Sequence, residues 1–192
     1  MVFWHVAAAQ KRWLRRFALL IGLLLVPVFV LAVFARPSAD DYIYAARTHA
    51  VGKVSPEVQK LMDVTKQSFF EGIKQAKAGN HLHDISAAIQ KYAESFGYGV
   101  VRELVGHGIG THLHEDPQIP NFKTIGRGIR LRPGMTLAIE PMITMGDYAV
   151  SVLDDDWTVV TMDGSLSAHY ENTILITEGA PEILTLPSYH ME

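Results

Sequence analysis

Cysteine is absent from this chain of 192 residues. Without thiols it can form neither a disulfide nor a thiolate metal site, and the redox compartment cannot be inferred. An excess of positive charge is also missing, since 17 Lys and Arg face 20 Asp and Glu for a formal net charge of -3. The basic footprint of a nucleic-acid-binding protein is therefore lacking, and we expect no nucleic-acid partner.

Charge of either sign is missing from residues 17–35, FALLIGLLLVPVFVLAVFA, which follow a short basic segment. At 1.5 Å per residue, a helix of this length nearly crosses a hydrocarbon core of about 30 Å. The pattern predicts a single membrane-spanning helix within a separate segment, residues 1–40, ahead of a domain over residues 41–192. The basic flank places the N-terminus in the cytoplasm and the remainder outside.

Two other interpretations of residues 17–35 remain. Val33-Phe34-Ala35 resembles the cleavage site of a signal peptide, although the apolar run is longer than a usual signal core. A buried soluble helix is the second alternative, and the lack of a polar face counts against it.

Histidine is concentrated in one stretch, residues 105–117, VGHGIGTHLHEDP. His107, His112 and His114 lie there, and glycines flank the first. One histidine alone is more often a satisfied core or surface residue than a functional one. Several histidines in a glycine-rich turn favour a site if carboxylates are available to join them.

Two glutamates stand alone in apolar, β-prone segments: Glu140 in MTLAIEPMI and Glu171 in SAHYENTILIT. A carboxylate in such a segment is costly to bury unless it is paired or binds a metal. A structural ion pair is the alternative to a metal site.

Three motifs together resemble the second half of a type I methionine aminopeptidase: GHGIGTHLHEDP, RPGMTLAIEPM and DDDWTVVTMDGSLSAHYENTILIT, in that order. The similarity extends over about residues 45–185. It implies the α+β pita-bread fold of the creatinase and aminopeptidase group, largely its second half, here preceded by the N-terminal apolar helix.

The resemblance also implies roles for particular residues. His107, Glu140 and Glu171 correspond to metal ligands of the family. His114 corresponds to the histidine that contacts the substrate near the scissile carbonyl and steadies the developing oxyanion, and Glu140 to a proton shuttle. Trp157 corresponds to a residue that lines the methionine pocket.

One imidazole and two carboxylates suit a divalent ion such as Mn, Fe, Co or Zn. The family holds two ions, and this chain has ligands for one. Such an ion lowers the pKa of water and polarises a carbonyl group. The implied function is metal-dependent removal of N-terminal methionine, with the N-terminal peptide of nascent or small proteins as partner.

Departures from the family are equally specific. Its two aspartate ligands would align with Val33 and Tyr44, while Asp40 and Asp41 are out of register; a usually aromatic position is Leu113. Because three of five ligands remain, we expect reduced or no activity. The alternative is a catalytically dead remnant that binds peptides or is tethered to a membrane.

The cellular location is ambiguous in the sequence. The family acts in the cytoplasm, whereas a membrane anchor over residues 17–35 would place the domain outside. A truncated or rearranged reading frame that supplied the first forty residues would reconcile the two.

Local patterns predict two helices followed by short strands. Ser55-Pro56 begins the first helix, which Gly79 can end, and the second covers residues 84–95. Strands are predicted over residues 98–104 and 135–143, and a hairpin joins 157–161 to 166–177 around Asp163-Gly164. The acidic residues 154–156 are expected in a solvated loop. Helices packed on an antiparallel sheet give an α+β layer.

Overall fold

The computed structural model describes residues 28–35 and 43–186. It contains two helices, α1 (Pro56–Ile73) and α2 (Leu82–Glu94). The strands are β1 (Val28–Ala35), β2 (Ile43–Ala50), β3 (Gly99–Val100), β4 (Gly106–Gly108), β5 (Glu115–Ile119), β6 (Thr136–Ile139), β7 (Met142–Thr144), β8 (Val150–Val152), β9 (Val159–Thr161), β10 (Ser167–Leu175) and β11 (Glu182–Ile183).

The first helix begins where the sequence predicts, and the second begins at Leu82, two residues before the predicted start. Ser55 caps α1 by accepting a hydrogen bond from the Val58 backbone N–H at 3.4 Å, and Pro56 occupies the first turn. At the start of α2, the Asp84 carboxylate accepts from the His81 backbone N–H at 2.8 Å. The helix α1 ends at Ile73, before the predicted stop at Gly79.

Strand β10 is the centre of the larger sheet. Its main path runs β1-β2-β10-β6-β4-β5, while β11 pairs with β10 and β7 pairs with both β10 and β3. Each of these pairings is antiparallel. Residues from distant parts of the chain are therefore aligned beside β10.

One face of this sheet is covered by the helices. Tyr170 and Ile174 of β10 join Leu137 and Ile139 of β6 in a buried core with Phe69 of α1. Alternation along a strand sends His169, Glu171 and Thr173 to the opposite face. Two helices on an antiparallel sheet confirm the predicted α+β class, and the candidate site lies on the face away from them.

Two threonine hydroxyls fasten β2 to β10. The Tyr44 backbone N–H donates to Thr173 Oγ1 at 2.8 Å, and that hydroxyl donates to the Tyr44 carbonyl at 3.0 Å. At the other end, the His169 backbone N–H donates to Thr48 Oγ1 at 2.8 Å, and the Thr48 hydroxyl donates to the His169 carbonyl at 3.0 Å. These paired bonds fix the register of the two strands.

The predicted apolar helix over residues 17–35 is wrong for its last part. Residues 28–35 form β1, which pairs with β2 and places Val33 opposite Ala45. A continuous apolar run suits a strand as well as a helix, and its β-branched residues favour the strand. Residues 17–27 and the basic flank lie outside the described residues, and the boundary at residue 40 stays a prediction. Across the described ranges, no helix combines the length and apolarity that crossing a membrane requires.

The predicted strand over residues 135–143 is interrupted. It divides into β6 and β7, with Glu140 and Pro141 between them. Proline has no N–H to donate to a strand ladder, so the sheet pairing breaks there. The Asn121 side chain donates to the Glu140 carbonyl at 3.0 Å, which holds the interruption in place.

The predicted hairpin between residues 157–161 and 166–177 is also wrong. Strand β9 pairs with β8 in a separate two-stranded sheet, while β10 joins the large sheet. The acidic residues 154–156 form the exposed turn between β8 and β9, as the loop prediction requires. Asp155 stabilises this turn by accepting from the Thr158 backbone N–H at 2.8 Å. The strand 98–104 is likewise shorter than predicted, since β3 covers only Gly99–Val100.

Candidate metal centre

Strand register brings the candidate ligands to one place. His107 of β4 lies opposite Ala138 of β6, and Ala138 lies opposite Thr173 of β10. Glu140 is two residues beyond Ala138, and Glu171 is two residues before Thr173 on the antiparallel neighbour. The alternation of side chains therefore directs all three candidate ligands to the same face.

The three side chains meet at one point. One ligand atom from each of His107, Glu140 and Glu171 lies within 4.8 Å of the other two. His107 Nε2 is 3.7 Å from Glu140 Oε1. Only 1% of Glu171 is exposed, compared with 15% of the Glu140 side chain. The predicted convergence is observed, although the residues are far apart in sequence.

His107 has one ring nitrogen directed toward the cluster. Its Nδ1 is 2.8 Å from the Gly108 carbonyl oxygen. A nitrogen facing a carbonyl oxygen carries the proton, which leaves Nε2 with a lone pair on the side of Glu140. Burial lowers the pKa of His107, which favours this neutral form.

The glycines beside His107 serve strand packing. A Cβ on Gly106 would overlap the Ala138 carbonyl oxygen, and a Cβ on Gly108 would overlap the Asp116 carbonyl oxygen. A change of register between His107 and Gly108 marks a bulge in β4. The close backbone approach on both sides fixes the direction in which His107 projects.

The two carboxylates are held in an environment that disfavours their charge. Burial raises the pKa of Glu140 to about 8. Burial also raises the pKa of Glu171 well above its usual range, Glu140 raises it further, and Arg47 acts in the opposite direction. Removal from water and a neighbouring like charge both penalise ionisation. A bound cation would reverse this penalty.

The donor set fits a divalent ion. Within the described residues, Glu171 Oε1 is buried and accepts no hydrogen bond. A buried oxygen without a partner is costly, and a metal ion would satisfy it. One imidazole nitrogen with carboxylate oxygens is a ligand set that first-row divalent ions accept. His107, Glu140 and Glu171 can therefore hold an ion between them.

His114 lies beside the cluster on an exposed loop. The centroid of its ring is 4.3 Å from that of His107. The loop is braced by Glu115, whose Oε1 accepts from the His112 backbone N–H at 2.7 Å and from the Thr111 hydroxyl at 3.0 Å. His112 itself points away, with 81% of its side chain exposed.

Trp157 is outside the three-residue cluster. It follows the turn between β8 and β9 and is 50% exposed. Its backbone N–H donates to Asp155 Oδ1 at 3.1 Å. The substrate pocket assigned to it stays a prediction.

Two further residues belong to this site. His169 is 6% exposed, and its Nε2 lies 3.5 Å from Glu140 Oε2. Burial lowers the pKa of His169 to about 3, so its ring is neutral. Tyr44 is 8% exposed and packs with Ile109 and Ala138. Its pKa is raised to about 12, first by burial and then by the charges of Glu171 and Glu140.

Different signals were available in the sequence for these two residues. The period of two along β10 places His169 on the face of Glu171, yet nothing local shows that it reaches Glu140. Tyr44 stands where the resemblance aligns an aspartate ligand, and its side chain packs with Ile109 and Ala138.

Two cavities lie elsewhere in the described part of the molecule. One, of about 450 Å³, lies between β2, α1 and β10 and is lined by residues that include Arg47, Lys66 and His169. The other, of about 410 Å³, lies near Pro117 and Met135. Neither includes the three clustered side chains, and neither gathers comparable ligands.

Comparison with known proteins agrees with this geometry. The chain matches the family described as "Metallopeptidase family M24" over residues 39–178, well over half its length. This chain belongs to metallopeptidase family M24. The M24 match includes all three clustered residues.

Curated relatives share this M24 region at high identity. A methionine aminopeptidase from Clostridium acetobutylicum is 61% identical over 142 residues, which cover 74% of this chain and 57% of the relative. Methionine aminopeptidase 1 from Bacillus subtilis is 52% identical over 141 residues, which cover 73% of this chain and 57% of the relative. This M24 chain thus spans little more than half the length of these relatives.

Solved structures show the same M24 fold. The methionine aminopeptidase of Thermotoga maritima superimposes with a TM-score of 0.79 at 49% identity, covering 83% of this chain and 64% of that one. A prolidase from Pyrococcus furiosus gives a TM-score of 0.64 at 22% identity, covering 83% of this chain and 41% of that one. The second likeness concerns the fold alone. Together they confirm the predicted pita-bread fold, of which this chain contains a part.

Proposed function

We propose that this chain is a metal-dependent aminopeptidase domain of family M24 that acts on N-terminal methionine, with reduced activity. The observation that carries the proposal is the convergence of His107, Glu140 and Glu171 within 4.8 Å on the sheet face. The relatives named methionine aminopeptidase support the choice of reaction. The substrate is the N-terminal peptide of a nascent or small protein.

Each clustered residue has a role that its surroundings support. His107 presents Nε2, Glu171 presents its buried Oε1, and Glu140 presents Oε1 beside His107. A divalent ion held there supplies an acidified water and polarisation of the scissile carbonyl. Glu140 is also proposed to carry a proton, because its second carboxylate oxygen, Oε2, is not the one beside His107.

His114 and Trp157 are proposed to act on the substrate. The ring of His114 stands next to His107 and is exposed, so it can donate a hydrogen bond to the carbonyl oxygen as negative charge develops. Trp157 offers a large apolar surface for the methionine side chain. Its exposure of 50% leaves room for an occupant.

Tyr44 is the reason to propose reduced activity. A phenol stands at the aligned position of an aspartate ligand, and its ring is packed against Ile109 and Ala138. A neutral phenol brings neither the charge nor the second oxygen of a carboxylate. The same observation favours the second candidate, a peptide-binding remnant without turnover.

Metal binding by the purified chain tests the proposal. We expect calorimetric titration with Mn²⁺ or Co²⁺ to give one site per chain. His107→Ala should weaken binding by at least about a hundredfold, because a ligand is lost outright and removal of mere supporting residues already costs 10- to 100-fold.

The matched control is His112→Ala, on the loop that follows β4, with an exposed side chain. It should leave the affinity unchanged within about threefold, the usual range for surface changes. Equal loss in both variants would show that the loop, rather than the His107 imidazole, is responsible.

The pH dependence of metal binding follows from Glu140. Its raised pKa of about 8 means that the metal-free site holds a proton at neutral pH, and the ion must displace it. Affinity should therefore fall at least about tenfold for each pH unit below 8. Burial lowers the pKa of His107, which favours the neutral imidazole that a metal ligand requires.

Titrations from pH 6 to pH 9 would measure this slope. Buffers with different ionisation enthalpies would also reveal the released proton directly. A constant affinity below pH 8 would contradict the assignment of Glu140 as a ligand.

A further inference from the structure

His169 and His107 lie near different carboxylate oxygens of Glu140. The Nε2 atom of His169 is 3.5 Å from Glu140 Oε2, whereas His107 Nε2 is 3.7 Å from Glu140 Oε1. The carboxylate therefore lies between two imidazoles, one for each oxygen. Neither the ligand cluster nor the sequence motifs assign His169 a role.

The position of His169 is fixed by its backbone. Thr48 accepts from its N–H at 2.8 Å and donates to its carbonyl at 3.0 Å, so β2 holds this part of β10. The side chain is almost fully buried and shares the sheet face of Glu171. A ring held in this way approaches Glu140 from a constant direction.

The carboxylate of Glu140 needs such a partner. Its backbone is fixed through the Asn121 bond to the Glu140 carbonyl, but the terminal torsion of glutamate is broad. A carboxylate that turns freely presents neither oxygen reliably to an ion. Hydrogen bonds from outside the ligand set orient metal ligands and raise metal affinity by 10- to 100-fold.

We infer that His169 is a positioning residue, whose Nε2–H donates to Glu140 Oε2 and so keeps Oε1 on the side of His107 Nε2. The inference rests on the proposed function, because it assigns a task within the same candidate metal site.

Substitutions that keep or remove the donor test the inference on the full chain. His169→Gln keeps an N–H donor, whereas His169→Leu removes it. We expect His169→Leu to raise the Kd for Co²⁺ and Mn²⁺ by about 10- to 100-fold and to alter the visible spectrum of bound Co²⁺. His169→Gln should stay within about threefold, well below the cost of losing an orienting partner, because its amide keeps a donor, and it should keep the parent spectrum.

Controls separate positioning from general damage. His49→Leu, an exposed histidine on β2, should bind as the parent does. Melting temperatures in EDTA report the fold of each variant, and His169→Met gives a second apolar variant if leucine disturbs the sheet.

Two results would overturn the inference while leaving the proposed function intact. One is unchanged affinity and spectrum in the apolar variants, and the other is an equal loss in His169→Gln and His169→Leu. Failure of the parent chain to bind either ion would instead overturn the proposed function, and the inference with it.

Discussion

The purified chain, saturated with Mn²⁺ or Co²⁺, should cleave a Met-Ala-Ser peptide at least about a hundredfold more slowly than the Clostridium acetobutylicum relative. The sequence resemblance aligns the two aspartate ligands of the family near Val33 and with Tyr44. Loss of supporting groups around a metal already lowers affinity or activity 10- to 100-fold, and loss of ligands should cost more. A substrate misplaced by about 1 Å can lose another hundredfold. Steady-state kcat/KM for both proteins measures the difference.

The substitution Tyr44→Asp tests whether the missing aspartate causes the slow cleavage. Tyr44 lies in the core cluster next to the site, so an aspartate there restores a carboxylate where the family has one. We expect tighter binding of Co²⁺ and a measurable rise in cleavage, and Tyr44→Phe should bring neither. A parent chain as fast as the relative, and inactivated by His107→Ala, would show that three ligands suffice.

Glu171→Gln should raise the melting temperature in EDTA and lower it, relative to the parent, in saturating Mn²⁺. The pKa of Glu171 is raised in the folded chain, so ionisation above its unfolded pKa destabilises the fold progressively as the pH rises toward the folded value. At pH 8 glutamine removes that penalty. An ion at a hundred times its Kd stabilises the parent by about 2.7 kcal/mol, roughly 5–10 °C for a domain of this size, and the variant forgoes this gain.

Scanning calorimetry of the parent and of Glu171→Gln, each in EDTA and in saturating Mn²⁺, measures this. The variant should have the higher melting temperature in EDTA and the lower one in Mn²⁺. The exposed Glu178→Gln gives no such reversal. A melting temperature of Glu171→Gln below that of the parent in EDTA would contradict this prediction. It would show that the Glu171 carboxylate stabilises the metal-free fold, as a structural partner of Arg47 would.

Local chemistry made the helices predictable. Ser55 followed by Pro56 is a start signal that needs only neighbouring residues, and the cap forms as expected. The three clustered residues were predictable for a different reason, since each lies in a motif that resembles the family. The motifs placed His107, Glu140 and Glu171 at one site, and strand register explains how they arrive there.

The wrong secondary-structure predictions fall in segments whose conformation depends on which distant strand they pair with. Residues 28–35 have an apolar pattern that fits a helix or a strand, and pairing with β2 selects the strand. The Asp163-Gly164 turn suggested a hairpin, but β9 finds its partner in β8. His169 could not be assigned to Glu140 from sequence, because their contact depends on how β10 lies beside the break at Pro141.

The central place of β10 has a consequence for how the chain folds. Its Thr173 bonds to Tyr44 across 129 residues, and its other partners also come from separate regions. Long loops must close before such contacts form, and the entropy of closure slows folding. The candidate site draws on β4, β10 and the residue that follows β6, so it is complete only once these pairings exist. During refolding, recovery of metal binding should therefore follow recovery of helical signal and mark the final kinetic step.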